Sequence, residues 1–280
     1  MPVALERRVG RVIGGQARVS PGWRPDSRHV SLRCVRRRAK GASEFGGRTV
    51  AGVARFVASS LAPAAQRFTP QAAAGVLRQV LEVAIDGYQL LPGAEKVAER
   101  QLQKAGNDAR LAIDAVVDQH IRLAGVQGFV TGIGGLITLP VSLPANLTGI
   151  AVVQARMVAA IAHLRGYDLG DPRVRTAVIT CMLGEDGVID RLKKESLPTS
   201  PLAIATAPVF DPELDRQVSS EVVAELIARV SGKRMALTVT RRIPLLGGAV
   251  GAGVDGWSTY RIAQYADKSL VRRIPRSIEP

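Results

Sequence analysis

The fold is decided by the uncharged centre of the chain, residues 123–155, which reads LAGVQGFVTGIGGLITLPVSLPANLTGIAVVQA. None of its 33 residues is Asp, Glu, Lys or Arg. One such charge near the centre of a bilayer costs about 2.5–3.5 kcal/mol, so a segment without them tolerates lipid. A soluble helical bundle also buries such segments in its core. The centre therefore predicts an apolar element that is buried either by a membrane or by its own protein.

Two prolines, Pro140 and Pro144, divide this stretch. Proline cannot donate the helical hydrogen bond and clashes with the preceding turn, so we expect a break at residues 139–146. The two legs would be 123–139 and 145–164, and a bilayer span needs about 20 apolar residues. The prolines therefore predict a helical hairpin rather than one long span.

Glycines are dense in the first leg, and the spacing of Gly128 and Gly132 lets helix backbones approach closely. The same spacing recurs at Gly247 and Gly251, after Pro244, so the two segments are expected to pack together. The predicted membrane or ligand contacts are these glycines and prolines with nearby arginines: Gly128, Gly132, Gly135, Pro140, Pro144, Arg156, Arg242, Pro244, Gly247 and Gly251.

Start signals divide the rest of the chain into helices. Asp171-Pro172 and Asp211-Pro212 each combine an acidic N-cap with proline at the first helical position, and Thr69-Pro70 is similar. The helix after Pro70 is expected to end at Pro92-Gly93, and residues 196–210 are predicted to be a loop. No alternating strand pattern is evident. The predicted fold class is all-α, a multi-helix bundle built around a central Gly/Pro-rich apolar helical hairpin.

Net charge is +14 and is unevenly distributed. Up to Arg48 there are 12 Arg and Lys against 3 acidic residues, or 12 − 3 = +9. Residues 1–45 are predicted to be a basic disordered tail, and residues 46–280 a single all-helical domain. Basic proteins attract nucleic acid or anionic lipid, although an Arg-rich bias also follows from a genome rich in G and C. The sequence has no helix-turn-helix, zinc spacing or aromatic platform, so nucleic acid is not predicted as a partner.

Catalytic and metal motifs do not stand out. Cys34 and Cys181 lie far apart, which fits a reducing, cytoplasmic setting and gives no disulfide framework or CxxC site. There is no P-loop and no GxSxG elbow, and neither a cofactor nor a metal is predicted. One polar cluster is conceivable where the hairpin ends, formed by His163, Tyr167 and Asp168, although a histidine beside a turn aspartate is also an ordinary structural feature.

Several short runs resemble the EcsC protein family. They are GGLITLP at 134–140, Leu143-Pro144, Gln154-Ala-Arg156, Gly166-Tyr167-Asp168 and RIPLLGGAVG at 242–251, over roughly residues 70–272. The resemblance implies a helical, membrane-associated protein with no established reaction. It transfers no catalytic residue.

Together these features predict a non-catalytic, membrane-associated interaction protein. It would dock on the cytoplasmic membrane face, peripherally or re-entrantly, through the hairpin 123–164, the segment 243–257 and basic flanks. Its partner would be anionic membrane lipid or a membrane protein. The alternative is an enzyme or carrier for a lipid-like ligand held between the glycine-rich helices, with the polar cluster in a closed apolar cavity. The sequence leaves the oligomeric state open.

Overall fold

The computed structural model describes residues 70–88, 91–134, 139–239 and 244–273. All of them belong to one compact unit, Ser43–Pro280. The helices are α1 Pro70–Ile85, α2 Ala94–Lys104, α3 Ala109–Gly134, α4 Leu139–Leu164, α5 Pro172–Cys181, α6 Gly184–Lys193, α7 Pro201–Ala205, α8 Pro212–Val239 and α9 Pro244–Ser269. Two short strands, β1 Gly87–Tyr88 and β2 Leu91–Pro92, pair antiparallel. The predicted fold class, an all-α multi-helix bundle, is confirmed. The predicted tail, residues 1–45, lies outside the described residues.

Helix α4 is the centre of the bundle. Every residue from 149 to 162 is buried, which is the pattern of a helix enclosed on all sides. Helices α1, α2, α3 and α9 all pack against it, and α3 also packs along α9. The last part of the uncharged stretch, residues 149–155, is therefore buried by its own protein.

The break predicted at the two prolines is wrong. Helix α4 begins at Leu139, so Pro140 and Pro144 lie in its first turns. The first four N–H groups of a helix have no partner within it, and proline at the second position therefore costs no hydrogen bond. Residues 135–138, between α3 and α4, lie outside the described residues. Pro140 therefore marks where a helix starts, and Pro144, the sixth residue of α4, removes one backbone hydrogen bond without ending the helix.

The two acidic start signals are confirmed. An oxygen of the Asp171 carboxylate accepts from the backbone N–H of Arg173 at the start of α5. Asp211 Oδ1 accepts from the N–H groups of Glu213 and Leu214 at the start of α8. Helix α1 begins at Pro70, as expected.

The chain between α1 and α2 differs from the prediction. Helix α1 ends at Ile85 rather than at Pro92-Gly93, because Gly87 adopts a positive φ of 87° that stops the helix. Strands β1 and β2 follow, too short for an alternating pattern to appear in the sequence. A Cβ on Gly93 would overlap the carbonyl oxygen of Ile85, so this position accepts only glycine. The predicted loop 196–210 likewise contains the short helix α7.

Candidate functional site

The two glycine-rich segments meet where α3 packs on α9. A Cβ on Gly128 would overlap the backbone of Gly251 and would lie 2.7 Å from Asp255 Oδ2. The expected packing of the two segments is therefore confirmed, and α3 and α9 form the most extensive helix contact in the described part of the chain. Gly256 lies against Ile121, so the helices run antiparallel.

The other predicted contact positions are spread over the same elements. Gly132 lies in α3, Gly247 in α9, and Pro244 is the first residue of α9. Gly135 and Arg242 lie outside the described residues. Contact of these positions with a membrane or ligand stays a prediction.

A buried pair of basic side chains joins α3 to α4. The Nε of Arg156 donates to Nε2 of His120 at 3.2 Å, and His120 Nδ1 lies 2.7 Å from the carbonyl oxygen of Val116. Nδ1 therefore carries the proton and Nε2 accepts, which is the neutral ring. Burial, helped by the Arg156 charge, lowers the pKa of His120 to about 3. Sequence reasoning missed this pair, because a histidine on an apolar helix face gives no signal beyond its position.

Arg156 itself is 4% exposed. Its Nη1 lies 3.5 Å from the carbonyl oxygen of Pro92 in β2, and no carboxylate of the described residues forms an ion pair with it. Burial lowers the pKa of Arg156 to about 10, so the guanidinium stays charged at neutral pH.

A second buried polar contact ties α4 to α9. The amide nitrogen of Gln154 donates to Ser258 Oγ at 3.0 Å and to Thr259 Oγ1 at 3.2 Å. The amide oxygen of Gln154 is buried without a hydrogen-bond partner. The contact fixes the lengthwise alignment of α4 and α9.

The predicted polar cluster is not joined by hydrogen bonds within the described residues. Tyr167 donates its hydroxyl to the carbonyl oxygen of Val271 at 2.9 Å, and burial raises the pKa of this phenol. Asp168 accepts from the N–H of Gly170 at 2.8 Å and lines an open polar cleft of about 370 Å³. His163 is half-buried at the end of α4. A shared catalytic or binding role for the three stays a prediction.

Large apolar side chains are exposed on both glycine-contact helices. Val126, at 59%, and Val130, at 62%, project from α3 with Phe129. On α9, Val254 is exposed and Trp257 is 63% exposed. These side chains lie in the two segments for which the sequence predicts a membrane contact.

No described helix is long and apolar enough to cross a membrane. Within the same residues, no group of three or more His, Cys, Asp or Glu side chains could hold a metal ion.

The model of the EcsC protein family matches residues 31–274, which is most of the chain. The chain belongs to the EcsC protein family. The EcsC match begins at residue 31, whereas the sequence motifs that resemble the family begin at about residue 70. It includes all described residues of this EcsC domain. No curated protein and no solved structure matches the chain.

Proposed function

We propose that the protein is a non-catalytic, membrane-associated interaction protein that docks on the cytoplasmic membrane face. The observation that carries the proposal is a common boundary on α3 and α9, where the exposed side chains of both helices change from charged to apolar. Family membership is in accord with this role but does not specify it.

On α3 the boundary follows Arg122. Four residues make slightly more than one turn, so exposed residues four apart form a stripe that winds slowly around a helix. The stripe begins with charged residues, and Arg122 pairs with Asp118 while Arg110 pairs with Asp114. It continues with Val126 and Val130. The exposed side chains of α3 therefore suit water up to Arg122 and lipid from Val126 onward.

On α9 the same change occurs in the opposite chain direction. Val254 and Trp257 are exposed, whereas Arg261 pairs with Asp186 at 2.7 Å and Lys268 with Glu185 at 2.6 Å. Because the helices are antiparallel, the apolar ends coincide. The contact of Ile121 with Gly256 puts Arg122 and Trp257 at about the same level. Tryptophan is enriched at membrane–water interfaces, so Trp257 is suited to mark the depth of insertion.

The orientation follows from this boundary. The apolar ends of α3 and α9 would enter the outer part of the bilayer, and the ion-paired ends would remain in water. Partial insertion of this kind does not need a spanning helix. The +9 charge of residues 1–48 would add attraction to anionic lipid.

Tryptophan fluorescence tests the depth directly. The chain has two tryptophans, so a Trp23→Phe variant leaves Trp257 as the single emitter. Vesicles of phosphatidylglycerol and phosphatidylcholine should shift its emission to the blue, and brominated acyl chains should quench it. Unchanged emission at low salt would contradict the proposal.

Vesicle flotation with matched variants tests the site. Val130→Asp puts a charge in the apolar end, and we expect binding to vesicles to weaken about tenfold or more, since tenfold corresponds to about 1.4 kcal/mol. Val209→Asp changes the same residue type at a 75% exposed loop position and should float like the unsubstituted protein. Equal flotation of both variants would overturn the site. A different outcome is that neither the unsubstituted protein nor Val130→Asp binds vesicles, and that Val130→Asp loses self-association. That result would show that the apolar end contacts a second copy of the chain instead of a membrane.

A further inference from the structure

Arg156 differs from Arg191, a partly buried arginine that also contacts several partners. Arg191, whose side chain is 11% exposed, pairs with Glu221 at 2.8 Å and Glu225 at 3.2 Å. The partners of Arg156 are the neutral ring of His120 and the carbonyl oxygen of Pro92. Neither partner carries a negative charge.

An uncompensated charge inside a protein is costly. Removing an ion from water costs several kcal/mol even after relaxation, so buried charges are normally paired or bind a ligand. Arginine cannot relieve the cost by losing its proton, because its pKa stays far above neutral even when burial lowers it. The structure around Arg156 therefore has one unit of positive charge and no described group that neutralises it.

The guanidinium is open on one edge. Nε is occupied by His120, and the contact from Nη1 to Pro92 is long for a hydrogen bond at 3.5 Å. Nη2 donates to no group of the described residues. Parallel N–H groups on Nη1 and Nη2 match two oxygens of a phosphate or carboxylate.

We propose that the Nη1–Nη2 edge of Arg156, beside β2, binds a phosphate group. His120 would support the site by accepting from Nε, which fixes the plane of the guanidinium and keeps the outer edge directed away from α3. Two sources carry this chemistry, a free phosphate compound and a phospholipid headgroup. His120 precedes Ile121, which lies at the level of the apolar boundary of α3 and α9. The headgroups of a docked membrane would therefore lie near the level of the Arg156 site. The phosphate site does not depend on the membrane proposal, because a free phosphate would occupy it equally well.

Calorimetric titration and thermal unfolding of the full chain test the site. Inorganic phosphate, compared with chloride at equal ionic strength, should raise the melting temperature of the unsubstituted protein. Arg156→Gln should abolish that increment, and Arg156→Lys, which keeps the charge without the planar fork, should weaken phosphate affinity about tenfold. Arg191→Gln is the matched control. It removes a buried, carboxylate-paired arginine, so it should lower the melting temperature and leave the phosphate increment intact.

A second experiment distinguishes a free phosphate compound from a phospholipid headgroup. If inorganic phosphate has no effect but phosphatidylglycerol vesicles protect the protein against unfolding in an Arg156-dependent way, the phosphate belongs to a headgroup and the site stands. If neither inorganic phosphate nor vesicles give an effect that depends on Arg156, the inference is overturned. Should Arg156→Gln not fold, Arg156→Lys decides, and undiminished affinity in that variant counts against the site. Val130→Asp leaves the binding of inorganic phosphate unchanged, so failure of the membrane proposal is seen separately.

Discussion

At the scale of single residues, the most informative position is His120. A histidine four residues after Val116 on an apolar face is a core position by pattern, and the sequence supports no more than that. Its protonation state follows from two contacts that only the fold supplies, the Val116 carbonyl on Nδ1 and the Arg156 guanidinium on Nε2. The candidate arginine was predicted from its place beside the uncharged stretch, whereas its burial and its partner were not.

Acid should destabilise the protein through this ring. The folded-state pKa of His120 is about 3, below the ordinary value of 6.5, so the unfolded chain binds the proton more tightly. Stability is therefore fully present above about pH 6.5 and is lost as pH falls towards 3. Between pH 7 and pH 5 the loss from this group is about 2 kcal/mol. Urea unfolding at the two pH values measures it.

The matched variants for the pH effect are His120→Gln and His163→Gln. The first removes the buried ring and should reduce the loss of unfolding free energy between pH 7 and pH 5. The second changes a half-buried histidine at the end of α4 and should retain the loss. An equal pH dependence in His120→Gln and the unsubstituted protein would show that another group is responsible.

At the scale of helices, glycine spacing was the most reliable signal. It predicted that the segments around Gly128 and Gly251 would meet, because only residues without a side chain allow helix backbones to touch. The prolines misled, since Pro140 and Pro144 are compatible with a helix start as well as with a break. The end of α1 at Ile85 was also missed, because it depends on the backbone conformation of Gly87.

Gly128→Ala should destabilise the α3–α9 contact. The new methyl group would overlap the carbonyl oxygen of Gly251, and overpacking of this kind costs about 1–3 kcal/mol. Gly253→Ala is the control on α9, where a Cβ meets nothing within 4 Å. There the better helix propensity of alanine should raise stability by up to about 1 kcal/mol. Chemical denaturation compares the two, and a neutral Gly128→Ala would contradict the close approach.

Helix α5 offers a test of its predicted start. Asp171→Ala removes the oxygen that accepts from the N–H of Arg173 at 2.8 Å, and loss of such a cap costs about 1 kcal/mol. Asp190→Ala is the control. Asp190 pairs with Lys194 on the exposed surface of α6. Exposed pairs of this kind contribute about 0.3–0.5 kcal/mol, so the midpoint of unfolding should move less. Equal effects would mean that the cap at Asp171 is unimportant.

At the scale of the whole molecule, the net positive charge is concentrated in the first 48 residues of the sequence. The described arginines on the surface are largely ion-paired, as Arg216 is with Glu213, whereas residues 1–48 carry +9 of the net +14. Composition predicted the helical class, and capping signals predicted the starts of α1, α5 and α8. Composition could not decide whether lipid or protein buries the uncharged centre. The two parts of the stretch differ in the structure. Residues 149–155 of α4 are buried by the protein, whereas Val126 and Val130 of α3 are exposed.

Anionic vesicles should therefore respond to the charge of the first residues. Replacing Arg36, Arg37 and Arg38 together by serine should weaken binding at low salt, by up to about 1 kcal/mol for each charge. Arg216→Ser removes an arginine that is already paired and should have little effect. Flotation at two salt concentrations compares them, and the difference should shrink at high salt because the attraction is screened. A difference that persists at high salt would contradict a purely electrostatic contribution.

The antiparallel contact of α3 and α9 also has a mechanical consequence. At one end the backbones touch through Gly128 and Gly251, and at the other Asp267 accepts from both Arg110 and Arg165. Gly128 and Arg110 are 128 − 110 = 18 residues apart along α3, so at 1.5 Å per residue the two attachments lie about 27 Å apart. Helices fastened at both ends cannot slide or roll past each other, and they behave as one stiff rod. The Lys268–Glu185 and Arg261–Asp186 ion pairs join this rod to α6. We therefore expect a displacement of the apolar end to move α6 as well.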